Sequence, residues 1–178
     1  MKNLKTLTII LLTALPVYTS AQAENNEKFR IGFQLNEVHN DFGLGVNLSS
    51  PAILNKSFEL HLRTNLMFYE YVKETKMVWE SYFNILLGIS SVPYKISESV
   101  SLYGEGGGIV VIPSYKFSKQ TTEIGGYGLF GFEFYFSDNY CFFLEAGAVG
   151  TNAVADKVVS KPIYSNGFLT SVGWKLKL

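Results

Sequence analysis

Very few residues in this chain are equipped for chemistry. Among 178 residues there are two histidines, His39 and His61, and one cysteine, Cys141. Acyl transfer or hydrolysis needs a nucleophile beside a base that a third group orients. His39 has Asn40 and Asp41 next to it, so a base and a carboxylate are adjacent, but no serine stands in a recognisable motif beside them. Asx-rich turn chemistry accounts for Asn40-Asp41 without any catalytic role. Glu37, His39 and Asp41 are spaced by two, yet three ligands from one tight turn converge poorly on a single ion. A lone cysteine forms no disulfide framework and no thiolate metal site, and Cys141 reads as a small buried hydrophobe. The glycine run Gly104–Gly108 lacks the Lys-Ser/Thr and the helix start of a phosphate loop. No catalytic residue, metal site or cofactor is therefore expected.

The remaining titratable residues share one positional property. Arg30, Glu59, His61, Arg63, Glu80, Glu105, Glu133, Glu145 and Lys175 all fall on the same phase of segments that alternate apolar and polar residues. Such a period of two is that of a strand with two different faces. Phe29, Ile31, Phe33 and Leu35 oppose Arg30, Gly32 and Gln34; Phe42, Leu44, Val46 and Leu48 oppose Gly43, Gly45 and Asn47. The pattern returns around Phe58–Phe68, Met77–Ile89, Val100–Ile112, Ile124–Phe136, Phe142–Ala148 and Phe168–Leu178. That makes eight segments, each running to about nine residues or more between its turns, enough to cross a bilayer when tilted. The apolar phase of these segments meets no charged side chain. Turn residues such as His39-Asn40-Asp41, Lys73-Glu74-Thr75 and Ser137-Asp138-Asn139 separate them. Gly104–Gly108 is a weak strand centre, where a bulge or kink would fit.

Composition points the same way. Charged residues make up 17% of the chain, with zero formal net charge and 14 Phe and 11 Tyr, against roughly 25% charged in a typical soluble domain. No basic patch suggests nucleic acid. At the N-terminus, Lys2 and Lys5 precede the apolar run Leu7–Leu15, followed by Pro16 and Ala21-Gln22-Ala23. This is the layout of a secretory signal peptide, residues 1–23, cleaved before Glu24. With no cysteine directly following the apolar run, a lipoprotein anchor is not expected. The alternating residues 24–178 then form one domain.

Two further features favour a membrane barrel over a water-soluble one. The polar phase is rich in Gly and carries Leu86, Ile109, Leu129 and Phe143, which suits a narrow filled interior better than a wet surface. Aromatics of the apolar phase, Phe29, Phe58, Phe68, Trp79, Phe136 and Trp174, sit near segment ends, as in interfacial girdles. The tail Phe168-x-Thr170-x-Val172-x-Trp174-x-Leu176-x-Leu178 resembles the C-terminal signal read by the outer-membrane assembly machinery, although it ends in Leu rather than Phe or Trp. With the segment Leu102–Gly108, the whole of 24–178 resembles the small outer-membrane barrels of the OmpA/OmpX type. That resemblance implies an all-β, eight-stranded antiparallel up-and-down transmembrane barrel in a Gram-negative outer membrane, with both termini periplasmic. It also implies long outer connections at Pro113–Thr122 and Thr151–Asn166, available to lipopolysaccharide or a surface ligand.

Eight strands leave an interior just wide enough for side chains. We expect Arg30, Arg63 and Lys175 to pair there with Glu59, Glu133 and Glu145, as a structural filling rather than an ion path. A non-enzymatic structural or surface-interaction role follows. The alternatives are a narrow channel for ions or small solutes, a lipid A deacylase or acyltransferase, and a soluble lipocalin-like barrel around a hydrophobic ligand. The deacylases' His-x-Ser pattern is absent, and His61 lies near the periplasmic start of its segment.

Overall fold

The computed structural model describes residues 28–73 and 76–178; the expected signal peptide and Glu74-Thr75 of the third turn lie outside the described residues. The strands are β1 (Arg30–Val38), β2 (Asp41–Ser49), β3 (Phe58–Lys73), β4 (Lys76–Ser91), β5 (Tyr94–Ser97), β6 (Val100–Ile112), β7 (Glu123–Ser137), β8 (Tyr140–Gly150) and β9 (Gly167–Lys177). All pairings are antiparallel, and β1 pairs with both β2 and β9, which closes the sheet. The barrel has eight staves, because β5 takes up the ladder on β6 where β4 leaves it. Between the two stands Pro93, which has no N–H to give to a ladder. The residues 91–99 were legible as a connection only; β5 within them is a finding of the structure.

The two faces are inverted relative to a soluble protein. Inward positions of β1 and β2 are buried and outward ones exposed in strict alternation, apart from half-buried Phe33. Leu87 is 62% and Phe130 68% exposed on the outer surface, whereas Arg63 and Lys175 are 1% exposed inside. A lipocalin-like barrel would carry its apolar phase inward, so the arrangement overturns the soluble alternative as a description of this fold. Leu86, Ile109, Leu129 and Phe143 point inward and are buried.

No bulge occurs at Gly104–Gly108. β6 keeps one register there against β7, and against β4 from Glu105 onward. The irregularities fall instead between Lys95 and Ser97 and between Tyr135 and Ser137. At Gly107 a side chain is impossible, since a Cβ would lie 2.1 Å from the Leu87 carbonyl oxygen. Gly107 permits close strand approach there, and no kink forms.

The chain ends described here share one end of the barrel, where Leu178 N donates to Phe29 O at 2.9 Å. At the other end, the connections 113–122 and 151–166 fold inward over the opening. Phe117 and Tyr164 from these connections are buried against Tyr69 and Tyr82 of β3 and β4, with ring centroids 5.0 to 6.3 Å apart. Lys157 N to Phe117 O (3.0 Å) and Lys119 N to Asp156 Oδ1 (2.7 Å) tie one connection to the other. Burial pushes the Tyr164 hydroxyl pKa up from its ordinary value. Because this cap is held by packing outside the ladder, Phe117→Ala should open it locally. Limited proteolysis is expected to cut near Lys119 and Lys157 while the barrel's thermal transition stays put.

Candidate functional site

The interior of the barrel is where most of the charged residues read from the sequence meet. Alternation on each strand turns Arg30, Glu59, His61, Arg63, Glu105, Glu133, Glu145 and Lys175 inward, and each is at most 5% exposed. Buried charges at this depth require partners. Nearest the chain ends, Arg30 is held between Glu59 and Glu133, with its Nη1 3.1 Å from both Glu133 oxygens. Lys175 Nζ donates to the same Glu133 at 2.8 Å and lies 4.6 Å above the Tyr103 ring. Further in, Arg63 grips two carboxylates: its Nε donates to Glu105 at 2.9 Å, and its Nη1 and Nη2 donate to Glu145 at 2.6 and 2.7 Å. This planar fork geometry is what Arg offers and Lys does not. His61 stands beside both clusters, with Nδ1 2.9 Å from Glu105 and Nε2 2.9 Å from Ser90 Oγ.

Three tyrosines complete the network, and sequence reasoning did not single them out. Tyr103 donates to Glu145, Tyr135 to Glu133, and Tyr127 to Glu105 at 2.6 Å. Two of them lie over glycines. A Cβ on Gly131 would fall 2.3 Å from the Tyr103 ring, and one on Gly88 would fall 2.1 Å from the Tyr127 hydroxyl. Ring-over-glycine packing of this kind pins register and aims the hydroxyl. The available signal was an inward tyrosine directly across from an inward glycine, as in the pair Tyr103↔Gly131.

Beyond the charges comes a layer of amides. Gln34, Asn36, Asn47, Asn65 and Asn84 hydrogen-bond among themselves at 2.7 to 3.1 Å. Above it, Val38, Met67, Leu86, Val111, Val149 and Leu169 fill the barrel. A cavity of about 10 Å³ lies among these layers, which is about the room for one water.

Glu80 does not join the network. It lies on the part of β4 beyond the closed barrel, bonded to Lys116 Nζ at 3.0 Å and to Ser114 Oγ at 3.3 Å. The hydrogen bond that Lys116 donates to the Glu80 carboxylate raises the Lys116 pKa. β3 and β4 extend well past their other neighbours at this end, β3 further than the alternating pattern suggested, and Glu80 rides on that extension. Of the aromatics read as a girdle, Phe29, Phe58, Phe136 and Trp174 lie exposed at the end that holds the chain termini. Phe68 is half-buried at the other end, and Trp79 stands on the extension. Phe168, Trp174, Leu176 and Leu178 line the outer surface of β9, with Val172 half-buried among them.

Around His39, Asp41 Oδ2 accepts from the Tyr82 hydroxyl at 2.6 Å and from Ser165 N at 2.9 Å. That carboxylate therefore moors the second connection to the barrel. Cys141 is buried at the level of Arg30 and Glu133.

No protein-family model matches the chain, and no curated protein matches it in sequence. Solved structures do match in fold. The N-terminal β-barrel domain of OprF from Pseudomonas aeruginosa superposes with a TM-score of 0.59 at 10% identity, over 86% of this chain and 98% of that one. The outer membrane protein Ail of Yersinia pestis, determined in a phospholipid bilayer nanodisc, superposes with a TM-score of 0.50 at 13% identity, over 85% of this chain and 99% of that one. This chain is an all-β, closed eight-stranded antiparallel barrel with the fold of outer-membrane barrels.

Proposed function

We propose that the chain is a non-enzymatic outer-membrane protein of a Gram-negative bacterium that carries a recognition surface on a sealed barrel. The observation behind this is the filled interior. Ion pairs, amides, aliphatic side chains and the Phe117–Tyr164 cap follow one another along the axis, and the cavity among the amide and aliphatic layers is about 10 Å³. A conducting lumen needs continuous water, so the charge network serves to fill the barrel and fix strand register. The exposed apolar outer surface meets lipid tails. The two capping connections and the β3–β4 extension belong to the outer side, facing lipopolysaccharide and surface partners, while both termini are periplasmic. Residues 1–23 are the export signal, and the outer face of β9 from Phe168 to Leu178 is read by the assembly machinery.

Heat-modifiability tests this reading. The full chain is expressed in a Gram-negative host, and outer membranes are run unboiled and boiled on a denaturing gel. The reading expects a shifted unboiled band, a mature N-terminus at Glu24, and no single-channel conductance in planar bilayers. Recovery from the soluble periplasm with no shift would overturn it.

A further inference from the structure

Two carboxylates of the barrel wall hold the cap, and they are of different kinds. Glu80 of β4 holds the first connection through Ser114 and Lys116, and the Lys116 side chain is half exposed to water. Asp41 of β2 holds the second connection from inside. It is 3% exposed, and its Oδ2 accepts from the Tyr82 hydroxyl at 2.6 Å and from Ser165 N at 2.9 Å. Both donors are neutral groups. A carboxylate buried among neutral partners is disfavoured in its charged form. The two hydrogen bonds also end on one oxygen, so a proton placed on Oδ1 removes the buried charge and breaks neither of them.

The titratable side chains that bear on this carboxyl are His39 of the turn, Tyr69 of β3, Tyr82 of β4 and Tyr164 of the connection, with Glu70 lining the same groove. Of these, His39 acts in the opposite direction, because its protonated ring favours the ionised carboxylate. The connection that Asp41 holds is strained. Ser160, Lys161 and Ser165 take φ values of 72°, 45° and 49°, in the left-handed region that residues other than glycine disfavour. Lifting the connection relieves that strain.

We propose that Asp41 is a proton-operated latch on the cap: with its proton it locks the 151–166 connection to the wall, and as a carboxylate it leaves that connection poised to lift. Lifting lets water reach the carboxyl, which then ionises freely, so closing takes up a proton. The cap is tightest in acid and loosest once the closed carboxyl has ionised. What lifting uncovers is the aromatic face of Tyr69 and Tyr82, now packed under Tyr164 with ring centroids 5.5 and 5.1 Å away. As control of the recognition surface, the latch rests on the outward placement proposed above, which puts the cap in contact with the external medium.

The test uses the full mature chain in a lipid nanodisc, in a His39→Gln background that removes the opposing group. Amide exchange is followed at Ala155, Lys157 and Tyr164, whose N–H groups are bonded within the cap, from pH 8 to 4.5. Each rate is divided by that of Asp41→Asn at the same pH, which cancels the intrinsic pH dependence of exchange. The ratio is expected to fall about threefold or more on acidification. Tyr82→Phe removes a donor to the ionised form and should move the fall to higher pH, whereas Glu80→Gln should leave it in place. A ratio that stays flat or rises in acid would overturn the latch, as would a fall moved to lower pH by Tyr82→Phe. Labelling of an Asn40→Cys variant on intact cells with a membrane-impermeant thiol reagent judges the placement separately: no labelling contradicts the outward reading and leaves the exchange ratio to decide the latch.

Discussion

Arg63→Met should be among the most damaging single substitutions in this protein. It leaves Glu105 and Glu145 facing each other in a dry interior with their shared cation removed. Removing one partner of a buried ion pair costs about 3–5 kcal/mol, and in a chain of this size that corresponds to roughly 10 °C or more in the gel-shift transition. The cost comes from the stranded carboxylates rather than from lost attraction. The triple variant Arg63→Met, Glu105→Gln, Glu145→Gln should therefore recover most of the loss, because amides need no counter-charge and Tyr103 and Tyr127 can still donate to them. Comparing urea midpoints of the single and triple variants checks this. A single variant as stable as the parent would mean the network contributes nothing to holding the barrel.

Leu87→Arg should have a comparable effect for the opposite reason. Leu87 projects outward midway along the stretch of β4 that is paired on both sides, opposite Leu62 and Gly108, and is 62% exposed. On the surface of a water-soluble protein such a change falls within about 0.5 kcal/mol of neutral. On the lipid face of a barrel near the midplane, Arg costs about 2–4 kcal/mol. Reversible urea unfolding from phospholipid vesicles measures the difference, with Val159→Arg, 85% exposed on the capping connection, as a control expected to be neutral.

The barrel was legible in this sequence because it is written twice along every strand. The period of two assigned each residue to a face, and the absence of charge from one phase decided which face met lipid. The charged set was legible for the same reason. An inward carboxylate such as Glu133 is conspicuous where everything outward is Phe or Leu. Strand length was less legible. The alternation of β3 fades beyond Phe68, where Tyr-Glu-Tyr-Val-Lys mixes aromatic and charged residues, and nothing local says whether such a stretch stays paired. In β4 the alternation holds from Met77, which reads Glu80 as interior, but nothing local says that β6 joins β4 only from Phe83. The tyrosine hydroxyls were hidden because a tyrosine's partner is fixed by cross-strand register, which a single strand does not reveal. The cap was hidden too: Phe117 and Tyr164 are separated by 47 positions of chain and meet only because two connections fold over one opening.

The most direct test of the inside-out barrel is a cysteine scan of β4 from Phe83 to Ser90, in a Cys141→Ser background. Each thiol carries a fluorophore quenched by lipids brominated along their chains. The inverted arrangement predicts quenching that alternates with a period of two, strong at 83, 85, 87 and 89 and weak at 84, 86, 88 and 90. Uniform accessibility to an aqueous quencher at all these positions, or the reverse alternation, would contradict a barrel that faces lipid with its apolar side.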